Sequence, residues 1–252
     1  MRTVGVDLAA EPRDTAIAVV EWRAGGARVV AVAMPADDET VVHHAEQADK
    51  VGIDCPLGWP DAFIDFLNVH RDGAAAPASQ LAGMAWRRSL AYRRTDEDVR
   101  SRLGLVPLSV ATDRIGLTAM RAARLQQLLI QHGHPVDRAG VGLIVEVYPA
   151  AGLKHWSLAH RRYKGGKNLP ALGSLVDNLT QAAPWLRLGE HEQPCRRHDH
   201  VFDAVIAALL ARAAALGLAT SPPAADRAAA GREGWIALPT CTLDDLAPGR
   251  PG

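Results

Sequence analysis

Two short segments of the sequence are nearly identical, and each ends in an aspartate. Val4-Gly5-Val6-Asp7 and Val51-Gly52-Ile53-Asp54 both have the composition of a strand end. Parallel neighbouring strands lie about 4.8 Å apart, so the two carboxylates would project side by side at the carboxyl edge of a sheet. Two carboxylates this close repel each other unless a proton or a cation lies between them. The pair therefore predicts a site for Mg²⁺ or Mn²⁺, since carboxylate oxygens suit these hard ions.

Each aspartate taken alone has a structural alternative, because an acid at a strand end commonly caps a turn or a helix. The matched pair on predicted neighbouring strands favours a site instead. Gly5 and Gly52 stand two residues before the acids on the same face of each strand. They place no side chain beneath the acids, and we expect this space to admit a ligand or water.

Three further titratable residues are placed where they could join this pair. His200 and Asp203 lie three residues apart at the start of an apolar helix and share one face of it. Asp203 either completes the cluster or interacts with the helix dipole. His200 is a metal ligand, a general acid–base group or a surface histidine. Glu146 ends another apolar strand, where it either reaches the cluster or forms a structural salt bridge.

Basic residues that could meet a phosphate group fall in two segments. Residues 87–124 contain nine arginines against four acids, and Arg114 and Arg121 are the best candidates for phosphate contacts. The alternative is a solvated helix face held by ion pairs between residues four apart. Lys164 and Lys167 flank two glycines in a second segment, which is typical of a phosphate-gripping loop but lacks P-loop spacing.

The composition limits the classes of protein that fit. Acidic and basic residues number 28 each, so the chain has no net charge, whereas clamps for long nucleic acids are usually basic. No apolar run approaches the length of a membrane span, and no apolar targeting segment precedes the first strand. We therefore expect a cytoplasmic protein with no membrane partner.

The elements that position these residues follow from the hydrophobic pattern. Three β-rich runs separated by short turns predict an antiparallel meander, and helix-linked strands follow it. Residues 71–94 favour a loop-rich insertion because their periodicity is weak. The predicted strands are 3–9, 15–22, 28–34, 50–55, 141–148 and 235–238. The predicted helices are about ten residues from Asp37, one with Pro60 in its first turn, then 95–103, 113–132, 168–182 and 199–216.

This order of elements predicts an α/β fold of the ribonuclease H-like class, with a mixed sheet of three antiparallel strands plus parallel strands and flanking helices. That fold requires the fourth strand to lie beside the first. We expect a single domain over residues 1–240, with a helical and loop insertion at about 71–135 and a frayed tail over 241–252.

Eight motifs spread over residues 3–239 together resemble the bacterial and archaeal domain of unknown function 429. Members of that family are described as predicted nucleases of ribonuclease H-like fold. The resemblance implies Asp7, Asp54 and Asp203 as the core metal ligands. Asp203-Ala204 is also similar to the last acidic motif of Holliday-junction resolvases, but Glu146 lies on a different strand from the resolvase glutamate. The motifs are GVDLA (5–9), GIDCPLGWP (52–60), YRRTD (92–96), PLSVATDRIG (107–116), DRAG (137–140), EVYPAA (146–151), FDAVIAAL (202–209) and EGWIALP (233–239).

Three functions are compatible with these features. The first is a metal-dependent nuclease that hydrolyses phosphodiester bonds of DNA or RNA, in which His200 or Glu146 assists proton transfer. The second is a nucleotide-dependent phosphotransferase of the related actin-like fold, but residues 7–10 lack the glycine of a phosphate-cradling turn. The third is a non-catalytic binding module, which the retention of all the acids disfavours.

Overall fold

The computed structural model describes residues 1–74 and 81–249. Within these ranges six strands form one mixed sheet with the order β5-β4-β1-β2-β3-β6. β1 pairs antiparallel with β2, and β2 with β3, whereas β4 runs parallel to β1 and β5 parallel to β4. The predicted α/β class with a mixed sheet is confirmed, and the fourth strand lies beside the first. The strands are β1 (Arg2–Asp7), β2 (Ala16–Arg23), β3 (Gly26–Ala33), β4 (Lys50–Asp54), β5 (Ile144–Glu146) and β6 (Leu186–Arg187).

Ten α-helices flank this sheet in the described part of the chain. The first begins after Asp37, whose carboxylate accepts a hydrogen bond from the Thr40 backbone N–H at 2.8 Å and so caps the helix. None of the helices in the described ranges has the length and apolar character to cross a membrane. The helices are α1 (Asp38–Glu46), α2 (Asp61–Arg71), α3 (Gly83–Ala91), α4 (Arg94–Leu103), α5 (Gly116–Gln131), α6 (Pro149–His155), α7 (Leu169–Ala182), α8 (Glu192–Arg197), α9 (Asp199–Ala215) and α10 (Arg227–Glu233).

The structure differs from the predicted elements at several places, and the short helices α6, α8 and α10 are not predicted. Residues 71–94, predicted as loop-rich, contain α3, while residues 75–80 lie outside the described part. The sequence pattern does not predict β6, because two residues are too few to show a period. The predicted strand 235–238 is reduced to a parallel bridge between Glu146 and Ile236. In the predicted tail Cys241, Leu243 and Leu246 pack on the core, and Leu246 is fully buried, while 250–252 lie outside the described residues.

Helix α9 lies directly against the sheet because both sides of the contact are built from small residues. A Cβ atom added at Gly5 would lie 1.9 Å from the Ala204 carbonyl oxygen and 2.3 Å from the Ala208 nitrogen. One added at Gly52 would lie 2.5 Å from the Ala207 carbonyl oxygen. The expectation that these glycines leave space for a ligand or water is therefore wrong. They accept the helix backbone, which brings the start of α9 to the ends of β1 and β4.

Gly5→Ala should destabilise the protein by about 3 kcal/mol or more, the upper end of the usual cost of overpacking. The contact is between backbone atoms, so no side-chain rotation can relieve it. The midpoint of urea unfolding, followed by circular dichroism, measures the effect. Gly231→Ala in α10 is the control, because nothing lies within 4 Å of its added Cβ and alanine favours a helix by up to about 1 kcal/mol. Equal midpoints for Gly5→Ala and the unmodified protein would show that α9 is free to move away.

Candidate metal centre

Three carboxylates meet at the carboxyl edge of the sheet. Asp7 ends β1 and is paired in register with Asp54, which ends β4, as the duplicated tetrapeptide predicts. Asp203 approaches the pair from the second turn of α9. One oxygen atom from each of the three residues lies within 4.8 Å of the others. The chain therefore has a carboxylate cluster that could hold a divalent metal ion.

The surroundings of the cluster oppose the ionisation of Asp54 and Asp203. Burial, followed by the charge of Asp7, raises the pKa of Asp54 well above its usual range. Burial also raises the pKa of Asp203 to about 6, although the Lys164 ammonium acts in the opposite direction. Asp203 is fully buried and Asp7 is 7% exposed. A bound cation would remove much of this repulsion, because it favours the charged form of every carboxylate near it.

The polar partners of the cluster come from two segments. The Tyr163 hydroxyl donates to Asp203 Oδ1 at 2.8 Å, and Lys164 Nζ lies 2.5 Å from Asp203 Oδ2. That Oδ2 atom is buried, and the Lys164 ammonium is its close polar partner among the described residues. His200 Nδ1 lies 2.5 Å from Asp7 Oδ2. The Lys164 charge thus offsets part of the repulsion among the acids, as a bound cation would.

An open cavity of about 510 Å³ adjoins the cluster. Asp7, Asp54, Lys164 and His200 line one end of it, while Asp203 is fully buried behind them. The remaining wall is mainly apolar and comes from the segments that follow β1, β4 and β5 and from residues 107–118. The cavity therefore offers both charged and apolar surface to a ligand.

Of the five predicted catalytic residues, the structure brings Asp7, Asp54, Asp203 and His200 together. Glu146 lines the same cavity, but both of its oxygens are engaged elsewhere. Arg93 donates to Glu146 Oε1 at 2.7 Å and to Oε2 at 2.8 Å, and the Leu57 backbone N–H donates to Oε2 at 3.0 Å. The role of Glu146 in the cluster is corrected accordingly, because its carboxylate forms the structural salt bridge that was the alternative.

Arg93 is the residue of this region that the pattern of acids does not reveal. It is 1% exposed and also binds Asp96 Oδ1 at 2.9 Å and the Glu233 carbonyl oxygen at 3.0 Å. Burial alone would lower the pKa of Arg93, but the charges of Glu146 and Asp96 raise it above its usual value. The only sequence signal was its place in the YRRTD motif, since an isolated arginine in an arginine-rich segment gives no other sign of burial.

The four predicted phosphate contacts have different surroundings. Arg114 is exposed and lines the cavity, as does Lys164. Lys167 lies on an exposed turn and does not line this cavity. Arg121 is corrected, because its guanidinium binds Asp38 at 2.7 Å and the Ala9 carbonyl oxygen at 2.9 Å. Arg121 therefore fixes the loop after β1 and is not free to meet a phosphate.

The arginine-rich segment is largely neutralised by ion pairs. Six of its nine arginines lie within salt-bridge distance of an acid. Arg102–Asp98 is the pair of the i,i+4 type that the solvated alternative predicts, whereas Arg93 is buried and bound to a distant segment. The six pairs are Arg88–Glu97, Arg93–Glu146, Arg94–Asp226, Arg100–Glu97, Arg102–Asp98 and Arg121–Asp38.

Divalent-metal affinity should fall as the pH is lowered through about 6. The pKa of Asp203 is raised to about 6, so its protonated form accumulates below that pH and the proton must leave before a metal binds. Isothermal titration calorimetry with Mn²⁺ at pH 7.5 and pH 5.5, in two buffers of different ionisation enthalpy, measures the affinity and the protons released. An affinity that does not change between these pH values would contradict the assignment.

Lys164→Met should tighten Mn²⁺ binding by about tenfold, equivalent to roughly 1.4 kcal/mol. The ammonium lies among the acids and repels an incoming cation, while the methionine keeps a side chain of similar length. Lys167→Met removes the same charge three residues further on, outside the cavity, and is expected to leave the affinity unchanged. Weaker binding by Lys164→Met would mean that this lysine organises the acids for the metal.

The mixed sheet, with carboxylates gathered at its carboxyl edge beside a cavity, defines an α/β protein with a candidate divalent-metal centre. A family model described as a protein of unknown function, DUF429, matches residues 5–228, and the chain belongs to this family. The predicted family is thus confirmed. Comparison with curated proteins and with solved structures finds no significant match. The description of the family assigns no activity, so the function is argued from the site.

Proposed function

We propose that this protein is a divalent-metal-dependent phosphodiesterase of the nuclease type. The observation that carries the proposal is the approach of three carboxylates to within 4.8 Å at one end of a cavity. Asp7, Asp54 and Asp203 would hold Mg²⁺ or Mn²⁺, which are the ions that suit carboxylate oxygens. Such an ion, when bound, supplies an activated water molecule and stabilises the charge that develops on a phosphate.

The other polar residues of the cavity have roles that suit this reaction. Asp7 holds the His200 ring through Nδ1, which leaves Nε2 to take up or give a proton in the cavity. The Asp7 hydrogen bond raises the pKa of His200, which favours its protonated, acidic form. Lys164 and Arg114 supply positive charge at the cavity wall, where it would attract a phosphate.

The loop after β1 argues against the phosphotransferase alternative. In the actin-like fold this turn cradles phosphates through its backbone. Here the Ala9 backbone N–H donates to Thr15 Oγ1 at 3.1 Å, and the Ala9 carbonyl oxygen accepts from Arg121. The loop is thus held by the protein itself, and both backbone groups of Ala9 are already engaged.

The proposal is tested by titrating Mg²⁺ and Mn²⁺ into the purified protein and into Asp7→Asn, followed by assays on single-stranded, duplex and branched DNA and RNA. Asp65→Asn is the matched control, because Asp65 is an exposed aspartate of α2 away from the cluster. We expect the unmodified protein and the control to bind metal and cleave, and Asp7→Asn to do neither.

The other outcomes separate the alternatives. Cleavage that does not depend on metal, in both the unmodified protein and Asp7→Asn, would overturn the proposal. Transfer of phosphate from ATP without cleavage of nucleic acid would support the phosphotransferase. Binding of nucleic acid with no chemistry in the presence of either metal would support a non-catalytic module.

A further inference from the structure

The cavity beside the carboxylates has the size of a small-molecule site. Its volume of about 510 Å³ lies within the range of about 300–1,000 Å³ that is typical of small-molecule sites. One end is polar, with Asp7, Asp54 and Lys164. A small ligand with one charged group would therefore place that group at a defined end of the cavity.

Another part of the wall is apolar and partly open. Leu108, Ile115 and Tyr148 line it, and Leu108 remains 45% exposed even though it lies at the cavity. Inorganic phosphates would leave this apolar surface uncovered. A nucleoside would cover it, because every base has a flat π-face that packs against apolar and aromatic side chains.

The charges around the cavity are too few for a long nucleic acid. Proteins that bind duplex DNA commonly make 6–10 phosphate contacts with lysine and arginine. Arg114, Lys164 and Arg93 are the lysines and arginines that line this cavity in the described structure, and Arg93 is buried in ion pairs with Glu146 and Asp96. The arginine-rich segment beside it is largely neutralised, and the whole chain has no net charge. One or two phosphates match this complement of charge.

We propose that the substrate of this site is a single nucleoside phosphodiester unit, with its phosphate at the carboxylate end and its nucleoside against Leu108, Ile115 and Tyr148. The inference rests on the proposed phosphodiesterase function and names its substrate class. Hydrolysis forms a bond from a water oxygen to phosphorus and breaks the bond from phosphorus to the leaving oxygen. That oxygen takes up a proton, so the products are a phosphomonoester and an alcohol. A small nucleotide ester and the free end of a strand both present this unit.

The test uses the full chain with Mn²⁺ and three substrates. These are the p-nitrophenyl ester of thymidine 5′-monophosphate, a linear single-stranded DNA and the same DNA closed into a circle. We expect hydrolysis of the nucleoside ester and at least tenfold slower cleavage of the circle than of the linear strand. Release of mononucleotides from the linear strand would show that the free ends of strands are substrates. If the linear strand stays intact while the thymidine ester is hydrolysed, small nucleotide esters alone are the substrate.

Two results would overturn the inference, and they are distinguishable. Cleavage of the circle as fast as the linear strand would leave the phosphodiesterase function intact and refute the single-unit substrate. Failure to hydrolyse any of the three substrates, together with an absence of Mn²⁺ binding, would refute both proposals.

The apolar wall is tested separately through KM. Leu108→Ala should raise KM for the thymidine ester by about tenfold and leave KM for methyl p-nitrophenyl phosphate, which has no nucleoside, unchanged. Val106→Ala is the control, because Val106 is 53% exposed and does not line the cavity. Equal increases for both substrates, or none for the thymidine ester, would place the nucleoside elsewhere.

Discussion

Asp54→Asn should abolish divalent-metal binding and, at the same time, stabilise the metal-free protein. Burial and the neighbouring Asp7 raise the pKa of Asp54 well above its usual range, so the ionised carboxylate costs folding free energy at neutral pH. Asparagine removes that charge with little change in shape. It also removes a central charged oxygen ligand, and we expect Mn²⁺ affinity to fall at least 100-fold. The opposite signs of the two effects distinguish a metal ligand from an acid that merely caps a turn.

Thermal unfolding with and without Mn²⁺ measures both effects. In metal-free buffer at pH 7.5 we expect Asp54→Asn to raise the melting temperature by about 2–4 °C, the shift that roughly 1 kcal/mol produces in a protein of this size. Mn²⁺ should raise the melting temperature of the unmodified protein and of Asp65→Asn, but not that of Asp54→Asn. A destabilised Asp54→Asn that still binds Mn²⁺ would give Asp54 a structural role only.

The pairing of Asp7 with Asp54 could be predicted because it depends on local sequence and one topological rule. The duplicated tetrapeptide fixes where each strand ends, and the ribonuclease H-like order places those strands side by side. The place of Asp203 in the carboxylate cluster could be predicted because the alanines after it indicate a helix that lies close to the sheet. The chemistry of the site therefore follows from short segments whose neighbours are set by the fold class.

The partners of Glu146 and Arg121 could not be predicted, because each is chosen by tertiary packing. Arg93 is 53 residues before Glu146, and Asp38 is 83 residues before Arg121. No period or spacing connects residues so far apart. Gly5 and Gly52 were expected to leave space for a ligand or water, but helix α9 fills that space. The sequence shows that a side chain is missing and does not show which element takes its place. Gly5 accepts Ala204 of α9.

The Arg93 network joins three segments behind one wall of the cavity, which Arg93 and Glu146 themselves line. Glu146 ends β5, Asp96 lies in α4, and the Glu233 carbonyl oxygen ends α10. Gly234 follows with a φ of +92°, and a Cβ there would lie 2.6 Å from Glu146 Oε2, so glycine is required for both conformation and space. The position of this wall therefore depends on one buried guanidinium.

Arg93→Met should destabilise the protein by about 3–5 kcal/mol, the usual cost of removing one partner of a buried ion pair. Methionine fills similar space, but Glu146 and Asp96 are then left buried beside each other without a counter-charge. Arg94→Met is the matched control, because the neighbouring Arg94 is 59% exposed and its pair with Asp226 belongs to the surface class worth about 0–1 kcal/mol. Urea unfolding of both variants gives the comparison.

A second variant separates lost charge pairing from lost packing. Arg93→Met combined with Glu146→Gln should recover part of the stability, because one of the two unpaired carboxylates is then neutral. Neither change touches Asp7, Asp54 or Asp203, so Mn²⁺ affinity should stay within about threefold of the unmodified protein as long as the chain is folded. A double variant that is no more stable than Arg93→Met would show that the guanidinium contributes through shape. A large loss of Mn²⁺ affinity in the folded variants would instead couple this wall directly to the carboxylate cluster.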